Sequence, residues 1–347
     1  MADVISQIAS WDKLSNRQVD QLLVAEGIQR DQNLDYTCGI FDDDWNLKAT
    51  GSCFGNTLRC LAVSRNYQGE GLLNRIISHL MDIQMERGNF HLFMYTKADS
   101  AKFMGDLGFY EIARVNQDLV FMENRKDGFS AYCKALQEKK QDGGRIAGIV
   151  MNANPFTKGH LHLVERAAAE NDVVHLFILS EDVGPIPFSV RRMLVRQGVA
   201  HLKNVVCHDS GPYIISSATF PSYFLKDGDL VIRTQASLDL QVFAKIAAAL
   251  GIQRRYVGQE LSSHVTKLYN EVMLRKLPEQ GIECIEIPRV EAEGQVISAS
   301  TVRRAIHDGN LEAVRDMLPD TTYQYFADPQ SESVRDAIRR EKNVIHY

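Results

Sequence analysis

Thr157, Gly159 and His160 close the segment Gly148-Ile-Val-Met-Asn-Ala-Asn-Pro-Phe-Thr-Lys-Gly-His160, and far downstream Ser298, Ser300 and Arg303 share the run Ile297-Ser-Ala-Ser-Thr-Val-Arg303. These residue types suit one chemistry, the holding of an anionic phosphate chain. In the first group an apolar strand over 146–151 meets a proline-containing turn, then a helix with Leu161, Val164 and Ala168 on one face. The start of such a helix offers unpaired N–H groups and the positive end of its dipole. Gly159 lets a ligand approach the backbone, and His160 can donate to a phosphate oxygen. In the second group two hydroxyls open a helix and an arginine follows one turn later, a set able to grip the rest of a polyphosphate.

Together the two segments resemble the nucleotidyltransferase superfamily signatures (H/T)-x-G-H and I-S-S-T-x-x-R. Thr157, Gly159 and His160 match the first; Ile297, Ser298, Ala299, Ser300, Thr301, Val302 and Arg303 align with the second. Thr157 takes the place of the commoner first histidine. Ala299 takes that of a serine and removes one phosphate donor. Each group also has a plain reading: His160 as a cap or core histidine, Ser298 and Ser300 as N-caps, Arg303 as a solvated charge. The Arg191-Arg192 pair reads as a solvated helix face, with contact to substrate or adenylate phosphates as the other reading.

Strands and helices must place these groups. With 347 residues, 45% hydrophobic and 24% charged, the chain is an ordinary globular protein of two domains. A net charge of −5 gives no electrostatic reason to expect nucleic acid or an anionic membrane. Six cysteines without metal-type spacing read as reduced, mostly buried thiols of a cytoplasmic protein. We expect no signal peptide and no membrane span.

From residue 145 onward, strands at 146–151, 173–179, 204–208, near 230–233, 255–258 and 282–287 alternate with helices at 159–170, 188–200, 238–250, 264–276 and 299–308. That order predicts a Rossmann-like parallel sheet covered on both faces. Before it, a helix whose capping box is Ser15-Asn-Arg-Gln18 precedes strands at 36–41, 47–53 and 57–63. Then come Asn66-Tyr-Gln-Gly-Glu-Gly71, a helix opening with Leu72, Leu73, Ile76 and Ile77, a strand at 91–96 and a short helix before Leu107-Gly-Phe109. The fold class is α/β, with an α+β domain over 1–124, a structured connector over 125–144 and the parallel-sheet domain over 145–347.

The first domain resembles the GCN5-related acetyltransferase fold. Its pyrophosphate turn, R/Q-x-x-G-x-G/A, is matched at Gly69 and Gly71 with Asn66 in first position, and Gln68, Gly69, Glu70, Gly71 and Leu72 would hold a coenzyme-A-like pyrophosphate. A plain turn is the other reading. The tyrosine that protonates a leaving thiolate in that fold is replaced by Met104, so this domain either transfers by another route or positions a thiol.

Asn152-Ala-Asn-Pro-Phe-Thr-Lys-Gly-His160, Tyr213-Ile-Ile-Ser-Ser-Ala-Thr-Phe-Pro-Ser-Tyr-Phe-Leu225, Ile287-Pro-Arg289, Ile297-Ser-Ala-Ser300 and Gly69-Glu-Gly-Leu-Leu73 resemble the citrate lyase ligase family over nearly the whole chain. The resemblance implies an enzyme that turns acetate and ATP into acetyl-adenylate and acetylates the prosthetic-group thiol of the citrate lyase acyl carrier subunit, a dephospho-coenzyme-A derivative, releasing AMP and diphosphate. It implies Asn154, Pro155, Phe156, Thr157, Lys158, Gly159 and His160 at the ATP, with His160, Ser298, Ser300 and Arg303 catalytic. Mg²⁺ is expected, its ligands unassigned. Two alternatives stay open: transfer of AMP or CMP to a phosphate-bearing acceptor, and a non-catalytic nucleotide sensor.

Overall fold

The computed structural model describes residues 4–182, 184–214, 220, 228–260, 263–292 and 294–341. The chain divides into one unit of Met1–Phe129 with Pro221–Thr234 and another of Ser130–Phe220 with Gln235–Tyr347.

The first unit runs β1 (Ile5–Gln7), α1 (Lys13–Ala25), β2 (Tyr36–Phe41), β3 (Leu47–Phe54), β4 (Thr57–Val63), α2 (Leu72–Glu86), β5 (Phe93–Thr96), α3 (Ala98–Asp106), β6 (Tyr110–Val115) and β7 (Leu119–Glu123). The sheet order is β1-β2-β3-β4-β5-β7-β6. Every pairing is antiparallel except β4 with β5, which are parallel and joined only at Thr57 with Phe93 and Leu58 with Met94. Past those two pairs the strands part. The unit is an α+β arrangement on a mixed, mostly antiparallel sheet.

Helix α1 buries Val19, Leu22 and Leu23, one helical stripe. Its cap is Asp12, whose carboxylate accepts from the Ser15 backbone N–H at 3.1 Å. The helix therefore starts earlier than the expected capping box, with Ser15 buried inside its first turn. Leu72, Ile76, Ile77 and Leu80 of α2 are buried in a core shared with Cys38, Ile40, Cys53, Leu58 and Met94. Sequence periodicity did not disclose β1, β6 or β7. All five residues of β7 are buried, so no apolar–polar alternation marks it.

The second unit begins within α4 (Gly128–Gln137) and runs β8 (Ile146–Met151), α5 (Lys158–Glu170), β9 (Val173–Ile178), α6 (Phe188–Gly198), β10 (Val205–Asp209), α7 (Gly228–Leu250), β11 (Arg254–Gly258), α8 (His264–Lys276) and β12 (Glu283–Ile287). A short hairpin, β13 (Glu291–Ala292) and β14 (Gln295–Val296), precedes α9 (Ala299–His307), α10 (Asp320–Ala327) and α11 (Glu332–Arg340). The five-stranded sheet has the order β10-β9-β8-β11-β12, parallel throughout. Alternate residues of β8 serve its two faces: Ala147 and Ile149 join a core with Leu163, Val164 and Val302, while a Cβ on Gly148 would meet Phe243 of α7 at 3.0 Å. Helices thus cover both faces, a Rossmann-like fold.

The strand expected near 230–233 is instead the first part of α7. A short apolar run cannot separate strand from helix, and no glycine or proline interrupts this one before Leu250. The helices after residue 308 were not foreseen. Among the described residues no helix is long and apolar enough to cross a membrane. All six cysteines are free thiols; Cys38, Cys53 and Cys60 are buried and Cys133, Cys207 and Cys284 partly so.

In the sheet, His175 and His208 are both buried and hydrogen-bonded, Nδ1 to Nε2, at 2.9 Å. Burial holds His175 down at about 4; burial, then His175, Lys139 and Arg196, hold His208 at about 3. Both are neutral in the fold yet take up protons near pH 6.5 when unfolded. Their lowered folded values give stability that is complete above pH 6.5 and drains as the pH falls toward 4, by up to about 1.4 kcal/mol per pH unit for each. Urea midpoints should therefore drop between pH 7 and pH 5 less steeply in a His175→Leu/His208→Phe double variant than in the parent. Equal slopes would remove the pair from the acid response.

Candidate active site

Strand β8 is central, and the chain order reverses beside it, with β9 on one flank and β11 on the other. In open parallel sheets a ligand crevice forms at this switch point, outside the carboxyl ends of the strands. The turn 152–157 leaves β8 there. Within it Ala153 has φ 51°, the left-handed region that an alanine adopts at a cost. Asn154 is buried, and neither of its side-chain amide atoms has a hydrogen-bond partner among the described residues.

Thr157 caps α5 and His160 reciprocates. The Thr157 hydroxyl accepts from the His160 N–H at 3.4 Å, and His160 Nδ1 accepts from the Thr157 N–H at 3.1 Å. A backbone N–H can only donate, so Nδ1 carries no proton and the neutral ring is protonated at Nε2. Burial, then the Arg289 charge, lowers the His160 pKa to about 4. At neutral pH His160 is an uncharged N–H donor whose Nε2 has no partner among the described residues. Its ring stacks on buried Phe156 with centroids 5.9 Å apart. Phe156 in turn needs Gly198 of α6, where a Cβ would meet its ring at 2.4 Å. A Cβ on Gly159 would meet Ile297 only at 3.6 Å, an ordinary contact, so packing does not demand glycine there.

Ser298 caps α9 by accepting from the Thr301 N–H at 3.3 Å, and its hydroxyl lies 2.6 Å from that of Ser300. Arg303 is buried and donates from Nη1 to the Asn154 carbonyl, while Arg304 is exposed. That bond brings the two motifs together. Lys158 is the first residue of α5, and Pro155 lies buried in the turn.

Two arginines matter beyond the expected set. Arg191, read from sequence as a solvated helix face, is completely buried. Its Nη1 donates to the Asn152 carbonyl, the Asn152 Oδ1 and the Leu179 carbonyl, each at 2.9 Å; Nε donates to Ile186 at 3.2 Å and Nη2 to the Glu181 carbonyl. It ties the turn after β8 to the loop after β9. Arg192 fits the expectation better, pairing at the surface with Asp209 at 3.0 Å. Arg289, noted only within Ile287-Pro-Arg289, donates to the Gln259 carbonyl at 2.8 Å, pairs with Glu260, and is the charge felt by His160. The segment 213–225 falls mostly outside the described residues; Tyr213, Ile214 and Phe220 are buried.

In the first unit the parting of β4 and β5 opens a cleft of about 650 Å³. Tyr67, Gln68, Gly69, Gly71, Leu72 and Met104 are among the residues lining it. Gly69 and Gly71 have φ of 90° and 75°, and a Cβ on either would meet nothing within 4 Å. Glycine is required there by backbone conformation, and the space above stays open. Gly71 ends at α2 without a side-chain cap, leaving the first N–H groups of that helix for another acceptor. Leu72 is core, and Glu70 pairs with Lys48 at 3.4 Å.

A family model for the citrate lyase ligase C-terminal domain matches residues 146–326. The [citrate [pro-3S]-lyase] ligase of Haemophilus influenzae is 36% identical over 326 residues, covering 91% of this chain and 97% of its own. That of Escherichia coli is 33% identical over 346 residues, covering 98% of each. Among solved structures, a bifunctional NMN adenylyltransferase/ADP ribose pyrophosphatase from Francisella tularensis is 15% identical with a TM-score of 0.38, covering 56% of this chain and 52% of its own.

Because Arg191 donates to the carbonyls of four separate residues from a buried position, Arg191→Met should cost about 3 kcal/mol or more in urea unfolding, the scale of several charged hydrogen bonds lost in a buried place. A change below about 0.5 kcal/mol, the level of ordinary surface substitutions, would return Arg191 to the surface reading.

Proposed function

The chain belongs to the citrate lyase ligase family, and on that premise we propose that it joins acetate to the prosthetic-group thiol of the citrate lyase acyl carrier subunit at the expense of ATP. A carboxylate is a poor acyl donor because oxide would have to leave. Attack of an acetate oxygen on the α-phosphorus forms an acyl–phosphate anhydride and breaks the bond to diphosphate. The thiol sulfur then attacks the acetyl carbonyl, the C–O bond to AMP breaks, and the thiol proton passes to solvent or a base.

The observation that carries this reading is the bond from Arg303 to the Asn154 carbonyl, which sets the arginine beside the α5 N-terminus and His160. Departing diphosphate gathers negative charge. An Nε2–H donor, an arginine and the first amides of α5 would stabilise that charge with little reorganisation. Lys158 opens the same helix, and Arg289, whose charge His160 feels, is already paired with Glu260. The two serines have a narrower part: Ser298 caps α9, and Ser300 is oriented by it. Mg²⁺ would neutralise phosphate charge and is expected to be carried by the ATP oxygens and water, as is common for this ion. The described residues contain no cluster of three His, Cys, Asp or Glu suited to a metal.

For the first unit, the glycine turn and its cleft support a site for the thiol arm, with the Gln68–Leu72 amides toward its pyrophosphate. Met104 in place of a proton donor is compatible with this direction of reaction, in which the thiol attacks rather than leaves.

Labelled diphosphate should exchange into ATP only when acetate is present, and His160→Ala should slow that exchange by about 10²-fold or more. Exchange that ignores acetate, or appears only with a phosphate-bearing acceptor, would transfer the assignment to nucleotidyl transfer. Gly69→Val, which places a β-branched residue at φ 90°, should raise the KM for carrier while leaving the exchange rate alone. Equal loss in both half-reactions would sink the role given to the first unit.

A further inference from the structure

Of the seven residues from Asn66 to Leu72, Glu70 alone carries a charge, and its sign opposes a phosphate. It stands between the two left-handed glycines with its side chain half exposed. Its carboxylate lies 3.4 Å from the ammonium of Lys48, a side chain only 10% exposed. That ammonium also sits 4.4 Å over the ring of Tyr67, which lines the cleft. Neither side chain of the pair lines the cleft, but Glu70 stands within the glycine turn that does, so a phosphate arriving at the turn comes near its carboxylate. The cleft wall adds no surplus of positive charge, since its ionic lining residues are Glu26, Lys97 and Asp99.

We propose that Glu70 makes this cleft charge-selective, so that it takes a pantetheine-type thiol carrying few phosphate charges in preference to the same thiol carrying more. The inference rests on the cleft being the thiol site. Its physical basis is repulsion: Glu70 stands between the two glycines of the turn, Lys48 offsets part of its charge, and each added phosphate charge on the ligand is repelled by the remainder. A terminal phosphate monoester adds nearly two charges at neutral pH, so free coenzyme A is penalised more than its 3′-dephospho form. The selectivity would keep abundant free coenzyme A from occupying a site meant for an arm attached to a protein.

The test is calorimetric titration of the full chain with pantetheine, dephospho-coenzyme A and coenzyme A, at low and at physiological salt. In the parent, dephospho-coenzyme A should bind more tightly than coenzyme A. Glu70→Gln should leave pantetheine unchanged and tighten both nucleotides, coenzyme A most, by about tenfold at low salt and less at high salt. Lys48→Met should weaken both nucleotides and spare pantetheine, which also reports that the cleft is intact. If Glu70→Gln shifts all three ligands equally, or none, the charge-selection proposal fails while the cleft remains the thiol site. If none of the three binds the parent, the thiol-site reading itself fails, and this proposal with it.

Discussion

The reciprocal cap between Thr157 and His160 is the constraint on which the proposed phosphate site depends. One pair of side chains begins α5, sets the ring orientation and assigns the imidazole proton. A histidine placed by packing alone could present either nitrogen. Here the backbone N–H of Thr157 removes that freedom, because it must be met by a lone pair. Threonine therefore does work in the first motif position that differs from that of the commoner histidine: it anchors the catalytic candidate from behind rather than adding a second ring.

Around this cap the fold supplies rigidity at little cost to access. Phe156 backs the histidine and is seated by Gly198; Arg191 fastens the turn to the loop after the neighbouring strand; Arg303 fastens it to α9. Two buried guanidinium groups answer backbone carbonyls, the groups that a chain leaving a strand cannot pair within the sheet. The unpaired Asn154 amide and the left-handed Ala153 lie in the same few residues. Cost is concentrated where β8 gives way to the turn before α5, a distribution common to functional sites.

Much of this was legible because it is local. The strand–turn–helix around Gly159 is written in consecutive residues, and α8 lies where its periodicity puts it. Fully buried segments were less so: β7 and the start of α7 carry apolar runs whose period says nothing of strand or helix, and tertiary pairing decides between them. Burial of long charged side chains was the other blind spot. Arg191 and Arg192 are adjacent and chemically identical, yet one is enclosed and one solvated. Only the carbonyls converging from distant segments distinguish them. For Arg303 and Arg304 the motif supplied that distinction where residue type could not.

An acyl–phosphate anhydride, the intermediate of the proposed reaction, acylates any thiolate within reach. Each of the six cysteines has its thiol pKa raised by burial: Cys38 to about 12, Cys53, Cys60 and Cys284 to about 11, and Cys133 and Cys207 in the same direction. Since the thiolate is the nucleophile, a thiol at 11 is ionised only about once in ten thousand molecules at pH 7. The burial that packs these side chains would also make the protein a poor acceptor for that anhydride. Fidelity toward the carrier would then begin with the enzyme's own thiols being seldom ionised.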